Sequence, residues 1–213
     1  CSNTSSASCV GLSSYYALDI TNQDSPVLLW EFSDPYLGFS FSGPAHIKRG
    51  SNNYIMFLSG PTSYDGSSAQ RLSIFVLELD KDFYIKSGGV RKFTGENRTG
   101  FTNISALSSL TSSFGGKLFN EGVDFNGDGN TDTVFFGISQ YTGGAWKGNV
   151  MGVEIKHDNP ANWGFNKLFS DTYPFGKPVT TAVKHMKCFK NNFLYFGTGR
   201  WFHKLDEVGT STD

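Results

Sequence analysis

Residues 124–132 read Asp124-Phe-Asn-Gly-Asp-Gly-Asn-Thr-Asp132 and run directly into the apolar stretch Thr133-Val-Phe-Phe-Gly137. Oxygen-bearing side chains recur at alternate positions, which is the spacing of a calcium loop. Gly129 stands at the sixth position, where such a loop turns sharply. The predicted ligands are the side chains of Asp124, Asn126, Asp128 and Asp132 and the backbone carbonyl of Asn130. The stretch therefore predicts a calcium site that opens onto a β-strand.

The loop departs from an EF-hand at its end. An EF-hand places a bidentate Glu at position 12, whereas this chain has Phe135 there, so the loop closes early, on Asp132. A bare surface turn is the alternative, and it would explain the Asn, Asp and Gly residues. It does not explain three carboxylates at this spacing, because they repel one another unless a cation binds between them. We therefore interpret the loop as a calcium site.

The composition of the chain is typical of an all-β protein. Its 213 residues include 25 Gly and 20 Phe, 15% of them are aromatic, and only 17% are charged. Aromatic residues favour strands, and the Glu, Lys, Ala and Leu abundance of helical proteins is lacking. The formal net charge of -1 gives no basic surface for nucleic acid and no polybasic arm for a membrane. No apolar run reaches the roughly 18 residues of a spanning helix, so no membrane span is predicted.

Short apolar runs bounded by Gly, Pro, Asn and Asp follow one another along most of the chain. Runs of this length between turn residues predict antiparallel strands. The predicted strands cover residues 15–20, 27–32, 44–48, 54–58, 72–79, 133–138, 148–155, 178–183, 192–197 and 201–205. A weaker strand is predicted at 89–93, the Ser/Thr/Gly-rich stretch 94–116 is interpreted as an insertion, and a loop is expected at 139–147.

These strands repeat a unit in which a buried strand ends in Gly and a loop leads to a strand that ends in a polar residue. The glycine-ended strands close with Leu58-Ser-Gly60, Phe136-Gly137 and Phe196-Gly-Thr-Gly199. Short antiparallel sheets repeated with long insertions suit the blades of a β-propeller. A β-sandwich has similar strands but gives no reason for this repeated order. We predict part of a β-propeller at residues 15–206, between a flexible Ser-rich segment at 1–14 and a tail at 207–213.

The three cysteines make an odd number. Cys1 and Cys9 lie close enough in sequence to form a disulfide, and two free thiols are the equal alternative. A cysteine at position 1 followed by Ser and Asn also fits the start of a mature lipoprotein, against which stands the interpretation of the chain as a fragment. Cys188 is expected to be a buried structural thiol, because no catalytic or metal-binding motif accompanies it.

Several stretches resemble the C-terminal propeller of the type IV pilus tip and biogenesis proteins of the PilC/PilY family. Tyr15-Tyr-Ala-Leu-Asp-Ile-Thr21 resembles the tyrosine-rich strand of that family. Leu29-Trp-Glu-Phe-Ser33 and Leu37-Gly-Phe-Ser-Phe-Ser-Gly-Pro44 resemble the run that follows it. The calcium loop with Val134-Phe-Phe-Gly137 and the late stretch Phe196-Gly-Thr-Gly-Arg-Trp201 are also similar. The resemblance covers most of residues 15–206.

The resemblance implies a calcium-binding protein that acts in pilus biogenesis, in the balance of pilus extension and retraction, in surface adhesion and in twitching motility. The implied partners are pilin or minor pilin subunits and a host or abiotic surface. The implied location is the bacterial cell surface, at the pilus tip or outer membrane, reached through the periplasm. After the loop the chain departs from the family, because Trp146 follows a longer connection. It contains no Arg-Gly-Asp tripeptide, so nothing supports integrin binding, and it is expected to be one part of a longer protein.

No catalytic motif is visible in the chain. The four histidines lie on different predicted elements and lack metal-ligand spacing. There is no Gly-x-Ser-x-Gly elbow, phosphate loop or dinucleotide fingerprint. We therefore predict that the chain is not an enzyme. The alternative is a quinoprotein-type dehydrogenase, whose blades carry similar strands and bind calcium beside the quinone, but the four Trp residues do not form its repeated docking motif.

Overall fold

The computed structural model describes residues 13–169, 176–200 and 202, and this part of the chain folds almost entirely into strands. The strands are β1 (Ser14–Asp19), β2 (Val27–Ser33), β3 (Ala45–Arg49), β4 (Asn52–Leu58), β5 (Ser73–Leu79), β6 (Ile85–Thr94), β7 (Thr102–Asn103), β8 (Ser113–Gly115), β9 (Thr133–Thr142), β10 (Ala145–Glu154), β11 (Gly164–Lys167), β12 (Lys184–Cys188) and β13 (Asn191–Tyr195). Two 3-10 turns, Ser105–Leu107 and Pro160–Asn162, interrupt them. Within the described ranges no helix has the length and apolar character to cross a membrane. The all-β prediction is confirmed.

The strands form four sheets, which we number in chain order. The first sheet is β1-β2, the second is β3-β4-β5-β6-β7, the third is β11-β10-β9-β8, and the fourth is β12-β13. Neighbouring strands are antiparallel except for the short parallel pair of β6 and β7. Over the described residues these sheets do not close into a ring. The all-β class is thus established, whereas the propeller remains a proposal.

The hairpin of β9 and β10 is longer than the sequence predicted. Thr142 pairs with Ala145, so the connection is only the two residues Gly143 and Gly144. Both glycines have positive φ angles, 61° and 77°, which a tight hairpin turn requires and which glycine adopts without strain. The prediction of a loop at 139–147 was therefore wrong. Because the turn is so short, β9 continues to Thr142 and β10 begins at Ala145.

The second and third sheets share one core. Met56, Leu58 and Ile74 of the second sheet lie in the same buried cluster as Phe136 and Met151 of the third. These side chains are almost completely removed from solvent. Burying a side chain of this size contributes about 1.5–3 kcal/mol to the free energy of folding. This shared core is therefore a main source of stability and holds the two sheets together.

The two outer sheets cover the opposite faces of this pair. Phe32 of the first sheet packs with Phe57 and Phe75 of the second, with the Phe32 and Phe57 ring centroids 6.1 Å apart. Leu194 of the fourth sheet packs against a cluster that contains Val150 of the third. The four sheets are therefore stacked face against face in the order in which the chain forms them.

The stretch 94–116 is more than the insertion that its composition predicted. Leu107, Leu110 and Phe114 are buried, and the first two belong to the core shared by the second and third sheets. A Cβ atom at Gly95 would lie only 2.2 Å from the backbone of Leu107, so the segment packs closely on the end of β6. Widely spaced apolar residues in a Ser- and Gly-rich background hold this segment in the core.

The last hairpin forms later in the chain than predicted. The sequence predicted a strand at 178–183, but β12 begins at Lys184 and pairs with β13. Val179 instead makes an isolated bridge to Gly199, and Val179 and Val183 are buried under the fourth sheet. Buried valines in an irregular segment and in a strand have the same sequence signature, which explains the error.

The prediction for Cys188 was also wrong, because this thiol is free and exposed. Cys188 is the last residue of β12, beside the two-residue turn that begins with Phe189. The neighbouring Phe189 is exposed as well, so this end of the hairpin lies outside the packed layers of the described residues. Four predictions lie outside the described residues: the state of Cys1 and Cys9, most of the segment 1–14, the strand 201–205 apart from Phe202, and the tail 207–213.

Tyr54 of β4 provides a test of the core by pH. Its ring is buried and its hydroxyl donates to the carbonyl of Asp158. Burial, followed by the charges of Glu78 and Asp158, raises the pKa of Tyr54 from 10.0 to about 12. The folded state thus keeps a proton that the unfolded chain loses, so we expect stability to fall as pH rises from 10.0 to about 12. Denaturant unfolding over this pH range measures the loss of stability in the natural chain and in Tyr54→Phe. The same pH dependence of the unfolding free energy in both proteins would contradict the prediction.

Candidate metal centre

The loop 124–132 projects from the start of β9. Its two ends are held by the bridge between Val123 and Thr133, in which the Val123 amide donates to the Thr133 carbonyl at 2.7 Å. Within the loop, Gly127 and Gly129 have φ angles of 81° and 82°, in the left-handed region that favours glycine. The sequence therefore folds into a tight double turn whose ends are fixed by the sheet.

Asp124 is the centre of the hydrogen bonding in this turn. Its Oδ1 accepts from the amides of Gly127 at 2.6 Å and Asn126 at 3.2 Å, and its Oδ2 accepts from the amide of Gly129 at 2.8 Å. These amides, that of Gly129 first and that of Gly127 second, hold the pKa of the Asp124 carboxyl below its usual value. The carboxylate is therefore ionised at neutral pH and kept in a fixed orientation.

The next two predicted ligands continue the same pattern. The Asn126 Oδ1 accepts from the amide of Asp128 at 2.9 Å, and the Asp128 Oδ1 accepts from the amide of Asn130 at 2.8 Å. The Asn126 Nδ2 also donates to the Asp128 Oδ2 at 3.3 Å. Each side chain thus caps the amide two residues ahead, which fixes the alternating spacing that the sequence displays.

Asn130 and Asp132 tie the loop to the rest of the chain. The Asn130 Oδ1 accepts from the amide of Gly50 at 2.7 Å, in the turn between β3 and β4. The predicted ligand atom of Asn130 is its backbone carbonyl, not this side chain. The Asp132 Oδ2 accepts from the amide of Phe125 at 2.8 Å and so links the second and ninth positions of the loop.

The five predicted ligands lie in this one double turn. Among the residues that the structure describes, no three His, Cys, Asp or Glu side chains are grouped as they would be around a metal ion. The chemistry of the loop nevertheless fits a hard cation, since it offers three carboxylates, an amide oxygen and a carbonyl. A carboxylate oxygen has two lone pairs, so one that accepts an amide keeps acceptor capacity.

Two further residues beside the loop, His185 and Lys187, could not be found from the sequence. The ring of Phe125 lies perpendicular to that of His185 with centroids 5.1 Å apart, and the Lys187 Nζ donates to the Phe125 carbonyl at 2.9 Å. His185 and Lys187 belong to β12, about sixty positions further along the chain. No local motif marks them, because the contact depends on how the fourth sheet docks on the third.

A cavity of about 330 Å³ lies beside the loop. Asp124 lines it together with Glu121, His185 and the apolar side chains of Val134 and Phe135. The loop thus has open space on the side that faces the fourth sheet. Two histidines take part in local hydrogen bonds through Nε2, His46 with Asn53 and His185 with Asn192.

Comparisons with known proteins give one informative similarity. The chain is distantly similar to a pilus protein. It is 25% identical, over 218 aligned residues, to the type IV pilus biogenesis factor PilY1 of Pseudomonas aeruginosa (strain UCBPP-PA14). The alignment covers 90% of this chain but only 17% of that protein. No protein-family model and no solved structure matches the chain. The similarity agrees with the resemblance found in the sequence and suggests a distant relationship to PilY1.

Proposed function

We propose that this chain is a calcium-binding part of a larger type IV pilus protein and acts by binding rather than by catalysis. The observation that carries the proposal is the similarity to a pilus biogenesis factor over 90% of the chain. An alignment of this extent includes the loop 124–132 and the sheets that hold it. The role in pilus biogenesis, adhesion and twitching motility is our extension from the similarity to this chain.

The loop would hold calcium through the side chains of Asp124, Asn126, Asp128 and Asp132 and the carbonyl of Asn130. Bound there, calcium supplies a double positive charge that offsets the repulsion between the three carboxylates. Hydrogen bonds within the loop orient two of these ligands, Asp124 and Asp132. The Asp124 carboxylate is ionised and fixed by three amides, and the bond from the Phe125 amide to Asp132 holds the closing ligand near the start of the loop.

The stacking of the four sheets supports the propeller as the fold of the larger protein. Blades of a propeller follow one another in chain order and pack face to face, as these sheets do. The first and fourth sheets have two strands each, fewer than the usual four of a blade. In this proposal other parts of the polypeptide complete those blades and close the ring.

Phe125 connects the loop with β12. It lies between two loop ligands, its carbonyl accepts from Lys187, and its ring contacts His185 of β12. A change in the loop backbone at Phe125 therefore shifts two contacts of the fourth sheet. We infer that calcium binding in this way affects the surface offered to pilin or minor pilin subunits, or to a host or abiotic surface, at the pilus tip or outer membrane.

The proposal predicts that loss of the loop carboxylates reduces pilus function in the parent organism. We expect Asp124→Ala combined with Asp132→Ala to lower the number of surface pili, twitching motility and attachment, because the loop can no longer bind calcium. Electron microscopy, stab assays and attachment counts measure the three effects. The control is Asp24→Ala combined with Asp158→Ala, which removes two exposed carboxylates outside the loop. Normal piliation and motility in a loop mutant confirmed to have lost calcium would reject the regulatory role.

A further inference from the structure

The loop 124–132 contains the only Asn-Gly pair in the chain, Asn126-Gly127. In such a pair the backbone nitrogen of the glycine can attack the side-chain amide of the asparagine and form a five-membered succinimide ring. Glycine favours this reaction because it has no side chain to shield its nitrogen. Both residues are exposed. Apart from its own chain neighbours, no atom of the described residues lies within 4 Å of the position that a Cβ of Gly127 would occupy, so its nitrogen is open to approach.

The attacking nitrogen already forms a hydrogen bond to a carboxylate. The Gly127 amide donates to the Asp124 Oδ1 at 2.6 Å, a short bond of its type. Asp124 is thus positioned to take the amide proton while the nitrogen attacks, which is the role of a general base. The Gly129 amide donates to the other carboxylate oxygen, Oδ2, at 2.8 Å. The base is therefore kept in its orientation toward the Gly127 amide.

The side chain under attack is held by the residue that follows Gly127. The Asn126 Oδ1 accepts from the Asp128 amide at 2.9 Å, and the Asn126 Nδ2 donates to the Asp128 Oδ2 at 3.3 Å. These bonds fold the asparagine side chain forward along the loop. During the attack, negative charge develops on Oδ1, and the Asp128 amide donates to that same atom. The loop thus supplies a nucleophile, a base and a donor for the developing charge.

Asn130 of the same loop lacks this arrangement. The nitrogen that follows it belongs to Thr131, which is buried and β-branched. The Thr131 amide donates to the Lys48 carbonyl at 2.8 Å, and the Asn130 Oδ1 accepts from the Gly50 amide at 2.7 Å. Both reacting groups are therefore engaged with the turn between β3 and β4. Asn130 is an internal reference against which the reactivity of Asn126 can be measured.

We propose that Asn126 is a site of spontaneous deamidation in the calcium-free loop and that calcium suppresses the reaction. The Gly127 nitrogen forms a bond to the Asn126 Cγ, and the bond from Cγ to Nδ2 breaks. Nδ2 leaves as ammonia with the proton that Asp124 took from the Gly127 amide. Water then opens the succinimide at either carbonyl and leaves aspartate or isoaspartate at position 126. No oxidation or reduction occurs.

Calcium suppresses the reaction because it binds the same atoms. In the proposed function the side chains of Asp124 and Asn126 are ligands, so the base and the attacked amide are both held by the ion. This suppression rests on the proposed function, whereas the reaction in the metal-free chain does not. Isoaspartate inserts an additional atom into the backbone and so disrupts the alternate spacing of the ligands. A chain that remains without calcium therefore loses the site irreversibly.

The test uses the full 213-residue chain, incubated at neutral pH and body temperature with either calcium or a calcium chelator. Peptide mapping by mass spectrometry measures the loss of each asparagine amide, and enzymatic methylation detects isoaspartate. In the chelator we expect Asn126 to lose its amide faster than Asn130. Excess calcium should slow the loss at Asn126 about tenfold or more, because it withdraws the base.

Two variants test the role of Asp124 in the chelator. Asp124→Asn should slow the loss at Asn126 about tenfold or more, since it removes the base. Glu121→Gln is the matched control, because it removes an exposed carboxylate just before the loop, and it should leave the rate unchanged. Circular dichroism confirms that both variants fold. An equal or faster loss in Asp124→Asn, or a loss at Asn126 no faster than at Asn130 in the natural chain, would overturn the proposal.

Calorimetric titration of the fresh chain separates this inference from the proposed function. If the chain binds calcium but loses the Asn126 amide equally fast with and without it, the suppression is rejected and the calcium site stands. If the chain binds no calcium, the proposed function and the suppression both fail. The comparison with Asp124→Asn then decides by itself whether Asn126 is a deamidation site.

Discussion

Replacement of Phe136 by Ala is expected to lower the free energy of unfolding by about 3–5 kcal/mol, which is the range for removal of a buried aromatic ring. Phe136 lies in β9 and is fully buried in the core that joins the second and third sheets. Its neighbours in this core are themselves buried and packed, so removal of the ring leaves a cavity that they fill only in part. Since natural domains are stable by about 5–15 kcal/mol, this change removes a large part of the total. Urea unfolding followed by circular dichroism measures it.

The same experiment tests whether the two central sheets unfold together. Because they share one core, we expect a single transition in both proteins, shifted to lower urea in Phe136→Ala. Phe193→Ala is the control, since this ring lies on the exposed face of β13 and its removal should cost less than about 0.5 kcal/mol. A loss below about 1 kcal/mol in Phe136→Ala would contradict a shared, tightly packed core. If that variant is too unstable to purify, Phe136→Leu tests the same direction with a smaller cavity.

The strands of the first half of the chain could be predicted from the sequence because burial and turn residues coincide there. The predicted strands at 54–58 and 72–79 correspond to β4 and β5, which lie inside the second sheet and are almost fully buried. The pair at 15–20 and 27–32 corresponds to β1 and β2. In each of these, a continuous or alternating apolar run ends at a residue that forms a turn, so pattern and structure agree.

The errors have a common physical origin in tertiary contacts. The pairing of β12 with β13 depends on residues 184–188, which are mostly polar and exposed and so carry no strand pattern. The buried valines just before them pack under the fourth sheet without joining it. In the stretch 94–116, isolated apolar residues enter the core at irregular spacing. Sequence periodicity cannot reveal either arrangement.

The candidate site was predictable in its local part only. The loop boundaries and the positive φ of Gly129 follow from the alternating spacing. The bond from Gly50 to the Asn130 side chain and the contacts of Phe125 with β12 join distant parts of the chain. These contacts give the loop its connections to two other sheets, and they are the physical basis of the proposed effect of calcium beyond the loop.

The Asp124→Asn change is expected to weaken calcium binding by roughly a hundredfold, since the charge of the ligands tunes such affinities over several orders of magnitude. The two carboxylate oxygens of Asp124 accept separately from the amides of Gly127 and Gly129, so an asparagine keeps an acceptor for only one of them and lacks the negative charge. Calorimetric titration of the metal-free chain measures the affinity. Calcium at about a hundred times its dissociation constant should stabilise the natural chain by about 2.7 kcal/mol, and at the same concentration this gain should largely disappear in the variant.

Two controls separate the loss of a ligand from damage to the loop. Asp132→Ala should weaken binding more than Asn126→Ala does, because it removes a charged ligand from the closing position rather than a neutral one. Asp158→Asn, an exposed carboxyl outside the loop, should leave the affinity unchanged. Unchanged affinity in Asp124→Asn and Asp132→Ala would show that calcium, if it binds, is held elsewhere, and the assignment of residues 124–132 would then be rejected. Equal weakening in Asp124→Asn, Asp132→Ala and Asp158→Asn would instead point to a nonspecific effect of charge, with the same consequence for the assignment.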